Sequence, residues 1–252
     1  MKNFLKIYWK TLLFFAVVGL IGGFCVGLYA LDSYPADMQQ QILSQGLTRE
    51  LLGIVTAFQA AGYGVVLGTI GIFLAKKVGL WKDEVKCEKK AVLAAVIVAV
   101  IGGLAMILMD LFFFGNYSQA IRDSYLVKPT LVFILGSVTY GAVIEEVMLR
   151  LFLMSGVAFL LHRIFDGKKA QTSTAVLTVS NIISAMLFAA GHLPATAAIL
   201  GLSPMILLRC FLLNGGLGLM FGWLYRKFGL RYAMVAHGGC HVVSKAVWLL
   251  FL

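Results

Sequence analysis

Apolar residues occur in seven long runs along the chain, separated by short polar segments. Each run is close to or longer than the roughly 20 residues that cross the about 30 Å hydrocarbon core of a bilayer. Because backbone groups in lipid must bond within their own segment, the runs are predicted to be helices. The pattern therefore predicts an all-α fold, a polytopic transmembrane helix bundle of about seven to eight spans. The runs cover residues 11–31, 51–75, 91–114, 130–161, 175–199, 205–225 and 232–252.

The composition also requires a lipid environment. Hydrophobic residues make up 61% of the 252 residues and charged residues 13%, whereas a soluble domain is roughly 45–50% apolar and about 25% charged. The spans leave no room for a separate soluble domain, so residues 1–252 are expected to form one membrane domain with the lipid bilayer as its solvent. The four cysteines are scattered singly, which predicts neither a disulfide framework nor a zinc ribbon.

The first apolar run follows three lysines, an arrangement that resembles a secretory signal peptide. The run is about 20 residues long, whereas the apolar region of a signal peptide has about 7–15 residues. The run is therefore predicted to be a retained first span.

The basic residues predict the orientation of the chain. The net charge is +10, and fifteen of the 21 Lys and Arg residues lie in the N-terminal segment and in loops 76–90, 162–174 and 226–231. These segments alternate strictly with loops that are poor in basic residues. The positive-inside rule then predicts a multi-pass protein of the cell membrane with a cytoplasmic N-terminus and, for seven spans, an external C-terminus. The charge indicates topology, and no nucleic-acid partner is expected.

Several ionisable residues interrupt the later runs, although each such residue costs at least about 2.5–3.5 kcal/mol on insertion scales. Residues at i, i+4 share one face of a helix, so Glu146 and Arg150 are predicted to form an ion pair while Glu145 points elsewhere. His162 lies in a basic loop and is predicted to be solvated. The residues inside the runs that could build a site include Glu145, Glu146, Arg150, His192, His237 and His241.

One carboxylate and three imidazoles support two kinds of chemistry. A buried glutamate can take a proton from water, and an imidazole can share that proton or donate a hydrogen bond to an oxyanion. This combination suits hydrolysis of an amide. The same four residues, Glu145, His192, His237 and His241, also suit a divalent metal such as zinc. The residues alone therefore leave two alternatives open, no cofactor or one divalent metal ion.

Three motifs in order resemble the signatures of the CaaX-protease and bacteriocin-processing family, also called the CPBP or Abi family, which includes the Ras-converting prenyl endopeptidases. They are Glu145-Glu-x-x-x-Arg150, Phe188-x-x-x-His192 and His237-x-x-x-His241. They lie within a core of roughly residues 130–245. The family pattern usually has asparagine at the last position, where this chain has His241.

The resemblance implies an intramembrane endopeptidase that cleaves a membrane-associated protein or peptide. It assigns water activation to Glu145 and His192, oxyanion stabilisation to His237 and His241, and supporting roles to Glu146 and Arg150. Phe188 is expected to serve in packing. Both glutamate-type and metalloprotease mechanisms have been assigned to the family, so the resemblance leaves this alternative open.

A non-enzymatic membrane protein is the alternative from another class. A proton-coupled transporter could use Glu145 and the histidines as a relay, and a bacteriocin-immunity protein could carry a degenerate site. The two halves of the chain show no repeated hydropathy pattern, which disfavours a transporter. The complete set of Glu145, His192 and His237 disfavours a degenerate site.

Overall fold

The computed structural model describes residues 2–83, 87–167 and 169–252. Lys86 and Lys168, two of the basic residues that support the predicted orientation, lie outside the described residues. The described chain is helical and contains no strand, which confirms the predicted all-α class. The helices are α1 (Lys2–Ser33), α2 (Ala36–Ser44), α3 (Arg49–Lys77), α4 (Lys89–Phe112), α5 (Gln119–Ser124), α6 (131–166), α7 (Thr174–Gly191), α8 (Leu193–Leu200), α9 (Pro204–Phe228) and α10 (Leu230–Phe251).

Six helical segments of the described chain are long and apolar enough to cross a membrane. They correspond to six of the seven predicted runs, and the segment at Thr174–Leu200 combines α7 with α8. The remaining run forms α6, which is helical without interruption from 131 to 166 and carries the charged motif. The protein is therefore a multi-pass membrane protein built as a polytopic helix bundle.

Helix α6 lies at the centre of the bundle. It contacts α1, α3, α7, α9 and α10, and its residues Ile144, Val147 and Leu151 have no exposed surface. Parts of α6 depart from α-helical geometry, because Ser137–Glu145 and Val147–Met154 have the wider π-helical hydrogen bonding. π turns are rare and frequently occur at functional sites. The apolar pattern alone did not predict them.

Polar residues determine where several helices begin. Thr48 caps α3, Thr130 caps α6, Ser173 caps α7 and Ser203 caps α9, each with a side-chain oxygen that accepts a backbone N–H of the first turn. Such caps satisfy donors that have no partner within the helix. These helix starts are therefore set by polar residues at or just before the beginning of the apolar runs.

Helices α1 and α3 cross closely because of glycines on α1. A Cβ atom at Gly19, Gly23 or Gly27 would lie less than 3.0 Å from atoms of α3. Small residues at four-residue spacing allow helix backbones to approach in membranes, where no hydrophobic effect drives helices together. This pair of helices supports one side of α6.

The prediction that His162 is a solvated loop residue is wrong. Its side chain is only 13% exposed, and its Nδ1 lies 3.0 Å from Asp166 Oδ2. The reason is that α6 extends beyond the apolar run, to residue 166, so that Asp166 lies one turn after His162 on the same helix face.

Candidate active site

The two adjacent glutamates of α6 lie in different environments. Glu146 has no exposed side-chain surface, and its carboxylate lies 3.5 Å from the Arg150 Nε atom. This contact confirms the predicted ion pair. Glu145 retains 21% of its side-chain exposure and lines a cavity of about 240 Å³. Only Glu145 can therefore meet a water molecule or a substrate in the cavity.

Arg150 is held by carbonyl and aromatic groups as well as by Glu146. Its Nη2 atom donates a hydrogen bond to the Gly218 carbonyl at 2.8 Å. Its guanidinium lies 4.9 Å from the ring centre of Phe188 and 5.6 Å from that of Phe221. Ring faces attract a desolvated cation. Arg150 thus links α6 to α7 and α9 below the cavity and holds the Glu146 carboxylate in place.

His237 of α10 contacts both glutamates. Its Nδ1 atom lies 2.9 Å from Glu146 Oε1, and its Nε2 atom lies 3.7 Å from Glu145 Oε2. The ring stacks on Phe221 with centres 4.5 Å apart and on His241 with centres 5.2 Å apart. The hydrogen bond to Glu146 and the two stacked neighbours orient Nε2 toward the cavity.

The Nε2 atoms of His237 and His241 converge beside Gly141 of α6. A Cβ atom at Gly141 would lie 2.9 Å from His241 Nε2 and 3.3 Å from His237 Nε2. The missing side chain leaves the space into which both rings extend. The structure therefore brings the two ring nitrogens together beside Gly141, and the His237 nitrogen lies 3.7 Å from Glu145.

His192 occupies the break between α7 and α8. Helix α7 ends at Gly191, and Pro194 occupies the first turn of α8, so His192 separates two helical segments and lines the cavity between them and α6. The His192 Nδ1 atom lies 2.9 Å from the Phe188 carbonyl oxygen. A carbonyl only accepts hydrogen bonds, so Nδ1 is the donor in this contact and Nε2 is left for a group in the cavity.

All four predicted catalytic residues line the same cavity; they are Glu145, His192, His237 and His241. Phe188 also lines it and packs edge-on against His192, with ring centres 4.6 Å apart. The supporting residues Glu146 and Arg150 lie behind it.

Other polar side chains of the cavity wall were not predicted as site residues. They include Lys245, which continues the four-residue spacing of His237 and His241 along α10, and that spacing could have identified it. The others, Tyr29, Ser137, Tyr140 and Asn214, follow no motif.

Within the described residues, the side chains of Glu145, His192, His237 and His241 are not arranged as a metal-binding group. Among the residues that the structure describes, no group of three or more His, Cys, Asp or Glu side chains is placed to hold a metal ion. Nδ1 of His237 lies 2.9 Å from Glu146 Oε1 and Nδ1 of His192 lies 2.9 Å from the Phe188 carbonyl oxygen, which leaves Nε2 of each ring for a group in the cavity. The arrangement provides a carboxylate, an acceptor nitrogen and two converging ring nitrogens.

Comparison with known proteins identifies a family match for the segment that supplies most of the cavity wall. Residues 127–243 match the family model of the Rce1-like type II CAAX prenyl endopeptidases. This match supports a relation between the segment and the CAAX protease family. No curated protein and no solved structure shows a significant match to the chain. The matched segment runs from the start of α6 into α10 and contains all three motifs, which confirms the resemblance seen in the sequence.

Proposed function

We propose that the chain is an intramembrane endopeptidase that hydrolyses a peptide bond of a membrane-associated protein or peptide. The family of residues 127–243 supports a CAAX endopeptidase activity in general terms. The observation that carries the mechanism is the contrast between the two glutamates. Glu145 opens to the cavity, whereas Glu146 is buried against Arg150 and His237.

The first step is activation of water. The Glu145 carboxylate accepts a proton from a water molecule that His192 orients through a hydrogen bond to Nε2. The water oxygen then attacks the carbonyl carbon of the substrate peptide. General-base catalysis of this kind contributes about 10²–10⁴-fold to the rate.

The second step is stabilisation of the oxyanion. The negative oxygen of the tetrahedral intermediate accepts hydrogen bonds from Nε2–H of His237 and of His241. His237 also donates from Nδ1 to Glu146, so this role requires its ring to carry both protons. Loss of one oxyanion donor costs about 10²–10³-fold in rate in other hydrolases.

The last step releases the products. The C–N bond breaks, and the proton held by Glu145 passes to the leaving nitrogen, which departs as an amine. The water oxygen stays on the new carboxyl group. Glu145 thus returns to its starting form and can act on another water molecule.

The test is cleavage of peptides by the purified protein in detergent. The substrates are an S-farnesylated peptide of CAAX type, chosen for the family description, and a library of membrane-associated peptides. We expect Glu145→Gln and His192→Ala each to reduce cleavage by at least about 100-fold. The matched controls Glu50→Gln and His162→Ala change residues that do not line the cavity and should leave cleavage unchanged.

Two results would contradict the proposal. Full cleavage by both cavity variants would remove Glu145 and His192 from the mechanism. Failure of the wild-type protein to cleave any peptide of the two sets would favour a non-enzymatic role. Each reaction is repeated with a chelator, because loss of activity on chelation would show that a metal ion takes part.

A further inference from the structure

Lys245 is the third ionisable residue on one face of α10, after His237 and His241. It lines the same cavity, yet only 8% of the residue is exposed. A lysine within a membrane span is expensive and usually marks a functional position. The mechanism proposed above does not use it.

The Lys245 ammonium group lies among aromatic rings. The Nζ atom lies 4.7 Å from the ring centre of Phe133 and 5.9 Å from that of Trp248. Within the described ranges, Lys245 forms no ion pair, and the nearby buried carboxylate of Asp110 is already bound by Arg209 through two contacts of 2.6 Å. The rings compensate part of the burial of the ammonium group. Its three N–H donors remain available to a group that enters the cavity.

We propose that Lys245 binds a carboxylate of the substrate and thereby positions the peptide in the cavity. A carboxylate is the natural partner because a charge-assisted hydrogen bond in a poorly solvated site is stronger than a neutral one. This role rests on the proposed peptidase function, and it is one of binding and orientation rather than of proton transfer.

The helix geometry relates this carboxylate to the bond that is cleaved. Eight residues separate Lys245 from His237, which corresponds to about 12 Å along α10. An extended peptide covers about 3.3–3.6 Å per residue. A carboxylate held at Lys245 thus lies about three residues from a carbonyl held at His237. Peptides that carry the carboxylate at this distance are the best ligands.

The test measures binding without cleavage. The protein carries Glu145→Gln, so bound peptides are not hydrolysed, and the probe is a fluorescent S-farnesylated peptide prepared as the C-terminal acid and as the amide. We expect the acid to bind about 10- to 100-fold more tightly than the amide, as for a hydrogen bond to a charged group. Adding Lys245→Met should abolish this preference, and Lys245→Arg should retain most of it.

A matched lysine outside the cavity controls for the general loss of charge. Lys128→Met removes an exposed lysine whose ammonium contacts backbone carbonyls near the end of α10, and it should keep the preference for the acid. The carboxylate could be the C-terminus of the substrate or an acidic side chain, and C-terminal amide peptides with either Asp or Asn near the terminus separate these two sources. Tighter binding of the Asp peptide that is lost in Lys245→Met would identify a side-chain carboxylate.

The outcomes separate this proposal from the peptidase function. Equal or absent binding of acid and amide to the protein with Lys245 intact would overturn the role of Lys245, and so would an acid preference that survives Lys245→Met. Because binding is read in a variant that cannot cleave, failure of the wild-type protein to hydrolyse peptides would overturn the peptidase function alone. A preference for the acid that depends on Lys245 supports the carboxylate site in either case.

Discussion

Glu146 and Arg150 bring two full charges into the centre of the bundle, where neither side chain has exposed surface. Their mutual attraction and the Gly218 carbonyl offset the cost of removing both groups from water. Glu146 also bonds His237, so the ion pair and this imidazole form one connected unit. The buried Glu146 carboxylate therefore helps to position the His237 ring, which is proposed to stabilise the oxyanion.

Removal of one partner of this pair is expected to be far more damaging than removal of both. Arg150→Met leaves Glu146 as a buried charge without its cation, which should lower the free energy of unfolding by about 3–5 kcal/mol. The double variant Glu146→Gln/Arg150→Met should lose less, because it buries no unpaired charge. Thermal unfolding in detergent measures the difference. The exposed control Arg163→Met should change stability by less than about 0.5 kcal/mol, and equal losses in the single and double variants would contradict the prediction.

At the scale of the element, α6 combines a widened helix with a glycine at the cavity. The π-helical stretch Ser137–Glu145 contains Gly141 and ends at the catalytic candidate itself. The rings of His237 and His241 fill the space beside Gly141. Helix α6 therefore supplies the Glu145 carboxylate and, at Gly141, the space that the His237 and His241 rings occupy.

Gly141→Ala should disturb the chemistry more than the fold. The added methyl would lie 2.9 Å from His241 Nε2 and 3.3 Å from His237 Nε2, so the rings must move away from Glu145. A displacement of about 1 Å at a catalytic site can cost about 100-fold in rate, and we expect a loss of that size in peptide cleavage. Gly62→Ala is the control, because a Cβ at Gly62 meets no atom within 4 Å. Equal activity of the two variants would show that the space beside Gly141 has no role.

Sequence reasoning succeeded where one strong signal decides the outcome. Runs of apolar residues predicted the spans because lipid requires helices, and four-residue spacing predicted the Glu146–Arg150 pair. It did not predict the π-helical turns, the bond from His237 to Glu146 or the space at Gly141, because these depend on how separate helices pack. Lys245 shows the limit of prediction from sequence. Its four-residue spacing from His241 is visible in the sequence, but only the packed helices show that it lines the cavity.

At the scale of the whole molecule, the orientation in the membrane remains a prediction from the basic loops. Residues 76–90, where α3 ends and α4 begins, include six of these basic residues and also Cys87. Cys87 is exposed, whereas Cys25, Cys210 and Cys240 are buried. The native chain thus carries a single exposed thiol among its four cysteines, in a segment predicted to be cytoplasmic.

A membrane-impermeant maleimide should therefore report the orientation directly. We expect Cys87 to react in inside-out vesicles and to stay unlabelled in right-side-out vesicles, because the thiol lies on the cytoplasmic side. The variant Cys87→Ser should lose the label, which would identify the site of reaction. Adding Gln45→Cys to that variant places a thiol in the exposed turn after α2, on the predicted external side, and the pattern should reverse. Labelling of Cys87 from outside would mean that the bundle is inverted and that the N-terminus is external.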